Sequence, residues 1–232
     1  MTHGTSMEYA VVAFMDVLGF AEMVQADSRA PAATRLMTFL QIFQDIRETY
    51  GGAVRMFSDS IVIEASLDLE GVKSVISIAG KLQREFLRGG ILVRGGVAFG
   101  KHFSDANTIY SEALVNAYYI ESKKARNPRI VVDPNLIDFF SNHPTATDAD
   151  RRWLSDNLCR DRDGFLFIEY IGVENIEELT PNVAQVIADS AKGNDSIVDK
   201  VCWMLDYHSF SCERSGRHDL RIEGNGLKFS AY

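Results

Sequence analysis

The hydrophobic pattern divides the first part of the chain into strand-like and helix-like segments. A continuous apolar run at residues 9–14 is typical of a strand buried on both faces. Apolar residues recur at helical spacing over 36–46 and 72–86, and each stripe is followed by a Gly-Gly pair. A hairpin is predicted at 54–64 and a further buried strand at 91–99. This order predicts an α+β, ferredoxin-like βαββαβ fold, with helices on one face of a mainly antiparallel sheet.

The rest of the chain is expected to add helices and short strands to this core. Helices are predicted at 111–124, 134–140, 181–191 and 195–209, and strands at 129–133 and 165–171, with a helix break at Gly193-Asn194. A polar leader precedes the first strand, and the polar tail has no clear pattern. We expect residues 1–135 to form the core and residues 136–232 a helical and strand extension of the same domain. A length of 232 residues is enough for one elaborated domain.

Composition narrows the classes of partner. A formal net charge of -8 disfavours a general nucleic-acid-binding protein, because no basic stripe is present to collect phosphates. The three cysteines, Cys159, Cys202 and Cys212, form no CxxC motif, and no apolar run is long enough to span a membrane. We therefore expect a cytoplasmic protein that binds neither nucleic acid nor membrane.

Two aspartates interrupt apolar segments and carry the predicted chemistry. Asp16 follows the first strand, in VVAFMDVLGF, and Asp59 lies at the turn of the hairpin VRMFSDSIVIE. Gly19 lets the backbone after Asp16 approach a ligand closely. Each aspartate alone has an ordinary alternative role, a helix N-cap for Asp16 and an Asx turn for Asp59. Together, at the ends of neighbouring strands, they suggest a carboxylate pair that binds divalent metal on a nucleoside triphosphate.

A third charged residue, Arg94, lies inside the apolar strand ILVRGGVAF. A charge in such a strand is unfavourable unless it meets an opposite charge. We assign Arg94 to the triphosphate. The alternative is a structural salt bridge to an acidic neighbour.

Four strings occur in order along the chain: FMDVLGF, FSDSIVI, RGGVAFG and SEALVNAYYIES. They resemble, in turn, the FxDIxGF segment, the second metal-aspartate hairpin, the RxGIxxG strand and the asparagine helix of the class III nucleotide cyclases. Within that family, the resemblance is to the bacterial pyrimidine cyclases of the Pycsar antiphage systems. It covers roughly the first 135 residues, and the four strings together are far more specific than any one alone.

The resemblance implies a reaction in which the ribose 3'-oxygen attacks the α-phosphorus and pyrophosphate leaves, assisted by two divalent metal ions, Mn²⁺ or Mg²⁺. It also implies roles for individual residues. These are Asp16, Asp59 and the Val17 carbonyl for the metals, the amides of Leu18, Gly19 and Phe20 for phosphate oxygens, Arg94 for the triphosphate, and Asn116 for the ribose or the reacting phosphate. For Phe20 a place in the hydrophobic core is an equal alternative, and Asn116 could simply be solvated.

One position departs from the family pattern. Where the family has an arginine one helical turn after the asparagine, this chain has Ile120. Lys123, Lys124 or Arg126 could supply the charge from a neighbouring turn, and the sequence does not select among them. This departure favours the alternative of a degenerate, cyclase-like binding domain.

The base-reading positions also differ from those of purine cyclases. Arg55 replaces their usual lysine, and Ile109 lies near the place of its polar partner. Arginine offers a fork of donors suited to uracil O2 and O4, and Tyr50 could narrow the pocket or stack on a small ring. Ordinary packing at a helix end is the alternative for Tyr50. We therefore expect UTP as the substrate and cyclic UMP as the product, with a cytidylate or purine nucleotide cyclase as the alternative.

The resemblance further implies a head-to-tail homodimer in which each active site combines residues of both subunits. It also implies a role in antiphage defence, in which a separate cyclic-nucleotide receptor acts as the effector. A monomer is the alternative assembly. Another palm-type metal enzyme, such as a dinucleotide cyclase, shares the βαββαβ plan, although the GGDEF string of diguanylate cyclases is absent from the sequence.

Overall fold

The structure, a computed structural model, describes residues 6–190, 195–222 and 230–231. The strands are β1 (Glu8–Val17), β2 (Val54–Phe57), β3 (Ser60–Ser66), β4 (Val93–Ser104), β5 (Ile109–Ser111), β6 (Ile130–Val132), β7 (Leu158–Arg160), β8 (Leu166–Ile168) and β9 (Ser230–Ala231). The helices are α1 (Phe20–Arg29), α2 (Thr34–Tyr50), α3 (Leu69–Arg88), α4 (Glu112–Lys124), α5 (Pro134–Ser141), α6 (Asp148–Asn157), α7 (Gly172–Ser190) and α8 (Asp195–Ser215). The predicted break at Gly193-Asn194, most of the polar leader, and residues 223–229 and 232 of the tail lie outside the described residues. Within the described part of the chain, no helix is both long and apolar enough to cross a membrane.

The strands form one mixed sheet in the order β2-β3-β1-β4-β6-β8-β7-β9, with β5 paired to β4. The first four strands of that order pair antiparallel, whereas β4 and β6 run parallel. The predicted α+β fold is confirmed. Beyond β6, the strands β8 and β7 of the C-terminal part continue the sheet of the core. The two parts therefore share one layer, and the predicted boundary at residue 135 stays a prediction.

One face of the sheet is covered by α2 and α3. Phe39, Phe43 and Ile46 of α2 are buried there, and the whole predicted apolar stripe of α3 is buried with them. Leu36 was predicted to belong to the same stripe, and this is wrong, because 38% of its surface is exposed. It lies in the first turn of α2, where Met37 is also exposed.

The two helices of the predicted βαββαβ core thus cover one face, as predicted, and the later helix α4 covers the other. Small residues on both elements allow this close packing. A Cβ atom added to Gly96 in β4 would lie 2.3 Å from the Ala117 carbonyl oxygen in α4. Ala98, Ala117 and Ile120 form a small buried cluster between the helix and the sheet. The position of α4 over β4 is therefore tightly determined.

The C-terminal helices α7 and α8 pack on each other and around β7 and β8. A buried carboxylate, Glu169, connects these parts: it accepts hydrogen bonds from the Tyr207 hydroxyl at 2.6 Å and from Arg214 Nη1 at 2.7 Å. The predicted helix at 181–191 in fact begins at Gly172 and contains Pro181 within it. The predicted strand at 165–171 is shortened to β8.

A buried histidine in α8 predicts loss of stability in acid. The Thr180 hydroxyl donates to the Ile176 carbonyl at 2.6 Å, so His208 Nε2 must donate to the Thr180 oxygen, 2.8 Å away. Burial lowers the pKa of His208 to about 4. Below pH 6.5 the unfolded chain therefore binds a proton that the folded chain excludes, and stability falls as the pH falls. Urea unfolding of the wild type at pH 7.5 and pH 5 should show a loss on the order of 2 kcal/mol from this group.

His208→Gln is the control, because glutamine keeps a donor for Thr180 and does not titrate. The titrations of other groups are common to both proteins and cancel in the comparison. If the two proteins lose the same stability between the two pH values, the assignment to His208 is wrong.

Candidate active site

The two predicted metal aspartates meet at one end of the sheet. Asp16 is next to last in β1, and Asp59 lies in the turn between β2 and β3. Ser58 has a φ of 56°, in the left-handed region, so the turn is tight. The Val17 amide donates to the Asp59 carbonyl oxygen across 3.2 Å, which holds the hairpin tip against the end of β1.

The surroundings of Asp16 disfavour its ionised form. Burial raises the pKa of Asp16, the negative charge of Asp59 raises it further, and Arg94 opposes both effects. A cation between the carboxylates would relieve the cost of keeping both ionised. The donors are all oxygen atoms, the type that Mg²⁺ and Mn²⁺ prefer. Among the described residues no three His, Cys, Asp or Glu side chains are grouped to hold a metal. Backbone, water or substrate oxygens would therefore complete the coordination of a cation held by this pair.

The helix that follows the aspartate strand begins at this end of the sheet. Gly19 adopts a φ of 75° and precedes α1, whose first amides have no acceptor within the helix. The Leu18 amide already donates to the Leu92 carbonyl at 2.8 Å, which leaves those of Gly19 and Phe20 as the predicted phosphate contacts. The Phe20 ring lies 5.9 Å from that of Phe39, centroid to centroid, so its side chain belongs to the core.

Arg94 lies between two carboxylates. Its Nη2 is 3.4 Å from Asp16 Oδ2, and its Nε is 2.7 Å from Glu121 Oε1. The contacts of Arg94 are thus those of the salt-bridge alternative. Binding to a triphosphate stays a prediction for this residue.

Sequence reasoning missed Glu121. It lies on the buried face of α4 with Ala113, Ala117 and Ile120, and only 2% of its surface is exposed. Burial raises its pKa, Arg94 opposes this effect, and the charge of Asp16 adds to it. The available signal was helical spacing, since a carboxylate on an otherwise apolar stripe needs a buried partner.

Asn116 lies in the same helix, nearer its N-terminus than Glu121. Its Nδ2 donates to the Phe99 carbonyl at 3.3 Å, so the residue is tied to β4 and not simply solvated. Phe99 is paired with Val11, which is five residues before Asp16 in β1. At 3.3–3.4 Å per residue this separation is about 17 Å along the strand. Within one subunit, Asn116 is therefore far from the aspartates.

The position at which the family has its arginine is buried against the sheet, where a charged side chain would be unfavourable. Ile120 is 4% exposed, and its Cβ would be 2.8 Å from a Cβ added to Gly96, so this side chain faces the sheet. Of the possible replacements, Lys124 lies over the Phe165 ring with Nζ 5.0 Å from the centroid. Lys123 and Arg126 are exposed. None of the three is shown to act at the site.

Arg55 is held by the β4–β5 hairpin and by its neighbouring strand. Its Nη1 donates to the Asp105 carbonyl at 2.9 Å, and its Nη2 lies 3.1 Å from Glu64 Oε1. Ser104 also accepts from Arg55, at 3.4 Å, and is paired with Ile109 of β5. The fold thus brings the two predicted base-reading positions together and adds Glu64, which the sequence did not indicate.

Tyr50 lies on the side of the sheet that α3 covers. Its ring packs against the main core, and Lys81 Nζ is 5.5 Å from the ring centroid. Arg55 points to the opposite face, because its neighbours Val54 and Met56 contact that same core. The contacts of Tyr50 are those of packing at a helix end, and a role at the base stays a prediction.

Comparisons with known proteins support the fold only. No model of a known protein family matches the sequence, and no curated protein is significantly similar to it. A dimeric guanylyl cyclase domain of the RhoGC fusion protein from the aquatic fungus Blastocladiella emersonii has 15% identity and a TM-score of 0.50, over 72% of this chain and 97% of that one. The adenylyl cyclase CyaB from P. aeruginosa has 16% identity and a TM-score of 0.49, over 70% of this chain and 95% of that one. The chain therefore has the fold of a class III cyclase domain, and its function has to be argued from the site.

Proposed function

We propose that this protein is a nucleotide cyclase that converts a nucleoside triphosphate into a 3',5'-cyclic nucleotide and pyrophosphate. One observation carries the proposal: Asp16 and Asp59 meet beside the N-terminus of α1. A carboxylate pair next to free helix amides suits a metal-bound triphosphate. The fold is that of a domain named as a guanylyl cyclase, which supports the same reaction class.

Asp16, Asp59 and the Val17 carbonyl are the residues that would hold two divalent ions, Mg²⁺ or Mn²⁺. When bound, such ions supply charge neutralisation and a lower pKa for the attacking hydroxyl. The amides of Gly19 and Phe20 hold phosphate oxygens at the start of α1. Arg94 lies within reach of the same place and adds positive charge for the triphosphate.

We further propose UTP as the substrate, as for the Pycsar pyrimidine cyclases that the sequence resembles. Arg55 and Glu64 place a donor and an acceptor side by side, 3.1 Å apart, and the Arg55 side chain remains 32% exposed. Uracil presents carbonyl oxygens beside an N–H group, which this pair matches. The product would then be cyclic UMP, a messenger for a separate receptor effector in the cytoplasm during antiphage defence.

A homodimer with shared sites is part of this proposal. Phe57 is 84% exposed at the last position of β2, two residues before Asp59, and points to the sheet face that carries Arg55. On α4, which packs on that face, Val115 and Tyr118 are 66% and 55% exposed. Large apolar side chains exposed on one face favour a protein partner. A second copy of the chain would cover them and bring its Asn116 to the aspartates.

The direct test is to incubate the purified protein with each of the four nucleoside triphosphates and Mn²⁺, and to identify the products by mass. We expect cyclic nucleotide and pyrophosphate, with UTP turned over fastest. Arg55→Ala should reduce the preference for UTP about tenfold or more while leaving Mn²⁺ affinity unchanged, because its contact is with the base. Arg35→Ala, at an exposed position of α2, is the matched control. Equal turnover of ATP and UTP by the wild type would contradict the base assignment.

A second candidate function is a cyclase-like domain that binds nucleotide without turnover. The buried Ile120 at the arginine position favours it, since that side chain cannot stabilise the transition state. Binding of a nucleoside triphosphate without any cyclic product, in the same assay, would select this candidate.

A further inference from the structure

Arg94 joins two carboxylates that come from different elements. Asp16 and Arg94 are directly opposite each other in the pairing of β1 with β4, so both side chains lie on the face that α4 covers. Glu121 approaches the same guanidinium from the last turns of α4. The two acids therefore share one cation.

The two contacts differ in strength. The Glu121 contact is 2.7 Å long, and 3% of that side chain is exposed. The Asp16 contact is 3.4 Å long, and 24% of that side chain is exposed. The short contact is an ion pair outside hydrogen-bond alignment, so charge is its main component. The Asp16 contact is a hydrogen bond, but a long one. Coulomb attraction is stronger at the shorter distance and in the less solvated place, so Glu121 attracts Arg94 more strongly by charge than Asp16 does.

This division of contacts matters for a cation at the aspartates. A guanidinium free to pair fully with Asp16 would compete with a divalent ion for the carboxylate and would repel that ion. Glu121 opposes both effects, because it draws the guanidinium to itself and offsets its charge. The close packing of Gly96 on Ala117 fixes the helix that carries Glu121.

We propose that Glu121 is a positioning residue that holds Arg94 off Asp16 and so keeps the aspartate pair free to bind a divalent cation. The inference rests on the proposed metal site at Asp16 and Asp59. A buried side chain of α4 would then set the affinity for metal at the end of β1.

The test is Mn²⁺ binding to the full chain by isothermal titration calorimetry, without nucleotide. Glu121→Gln should weaken binding about tenfold, because one unit charge close to the site is lost. Glu112→Gln is the matched control: it removes the same charge from the same helix, where Glu112 accepts from the Lys101 amide, and it should bind Mn²⁺ like the wild type. Binding by Glu121→Gln within twofold of the wild type would overturn the inference.

A double variant separates positioning from a general structural effect. In Glu121→Gln with Arg94→Gln the competing cation is gone, so Mn²⁺ affinity should return to at least the wild-type value. A double variant that binds as weakly as Glu121→Gln alone would overturn the inference. If Glu121→Gln does not fold, Arg94→Gln alone decides: it should bind Mn²⁺ several-fold more tightly than the wild type, and weaker binding contradicts the competition.

Asp16→Asn distinguishes this inference from the proposed function on which it rests. If Asp16→Asn binds Mn²⁺ like the wild type, the metal is not at the aspartates and both proposals are wrong. If Asp16→Asn loses binding while Glu121→Gln keeps it, the aspartate site stands and the role of Glu121 is wrong.

Discussion

Asp16→Ala and Asp59→Ala are each expected to lower cyclic nucleotide formation by about three orders of magnitude or more. Each removes one of the two carboxylates that meet where the β2–β3 turn touches the end of β1. A single carboxylate cannot hold the cation in the geometry that activates the 3'-oxygen, and that assistance accounts for several kcal/mol of the barrier. The measurement is the initial rate of product formation under saturating Mn²⁺ and nucleotide.

Two controls make this result specific. Asp45→Ala removes an exposed carboxylate of α2 and should keep the wild-type rate. Asp16→Asn keeps the shape of the side chain beside Arg94 and should be as inactive as the alanine variant. If either aspartate variant, shown to be folded by circular dichroism, retains near wild-type turnover, the metal assignment is wrong.

Mixing two inactive variants is expected to restore activity. Within one subunit Asn116 is tied to Phe99, about 17 Å along the strand from the level of Asp16. In the proposed homodimer it therefore serves the aspartates of the other subunit. A heterodimer of Asp59→Ala with Asn116→Ala contains one site with every residue intact. Random exchange makes about half of the dimers heterodimers, each with one working site, so the mixture should reach about a quarter of wild-type activity.

The control for this experiment is a mixture of Asp16→Ala with Asp59→Ala. Both substitutions affect the same half of the site, so no combination of these subunits restores it, and the mixture should stay inactive. A mixture of Asp59→Ala with Asn116→Ala that stays inactive after proven subunit exchange would contradict the shared site. The alternative of a monomer, with its site formed within one chain, would then be favoured.

The sequence by itself determined the long elements and the meeting of the two aspartates. α2 and α3 carry periodic apolar stripes over several turns and β1 carries a continuous apolar run, and such patterns leave few alternatives. The short elements α6, β5 and β7 have no pattern of comparable length, because three to ten residues can pack in several ways. Asp16 and Asp59 could be placed together because each lies at the end of a strand in a plan with fixed neighbours.

Only the tertiary structure decided which charges face each other. The pairing of Arg94 with Glu121 depends on the position of α4 along β4, and that position is set by the close packing of Gly96 on Ala117. The separation of Tyr50 from Arg55 depends on which face of the sheet each residue takes. Such contacts join residues distant in the chain, through strand register and helix packing that no local pattern encodes.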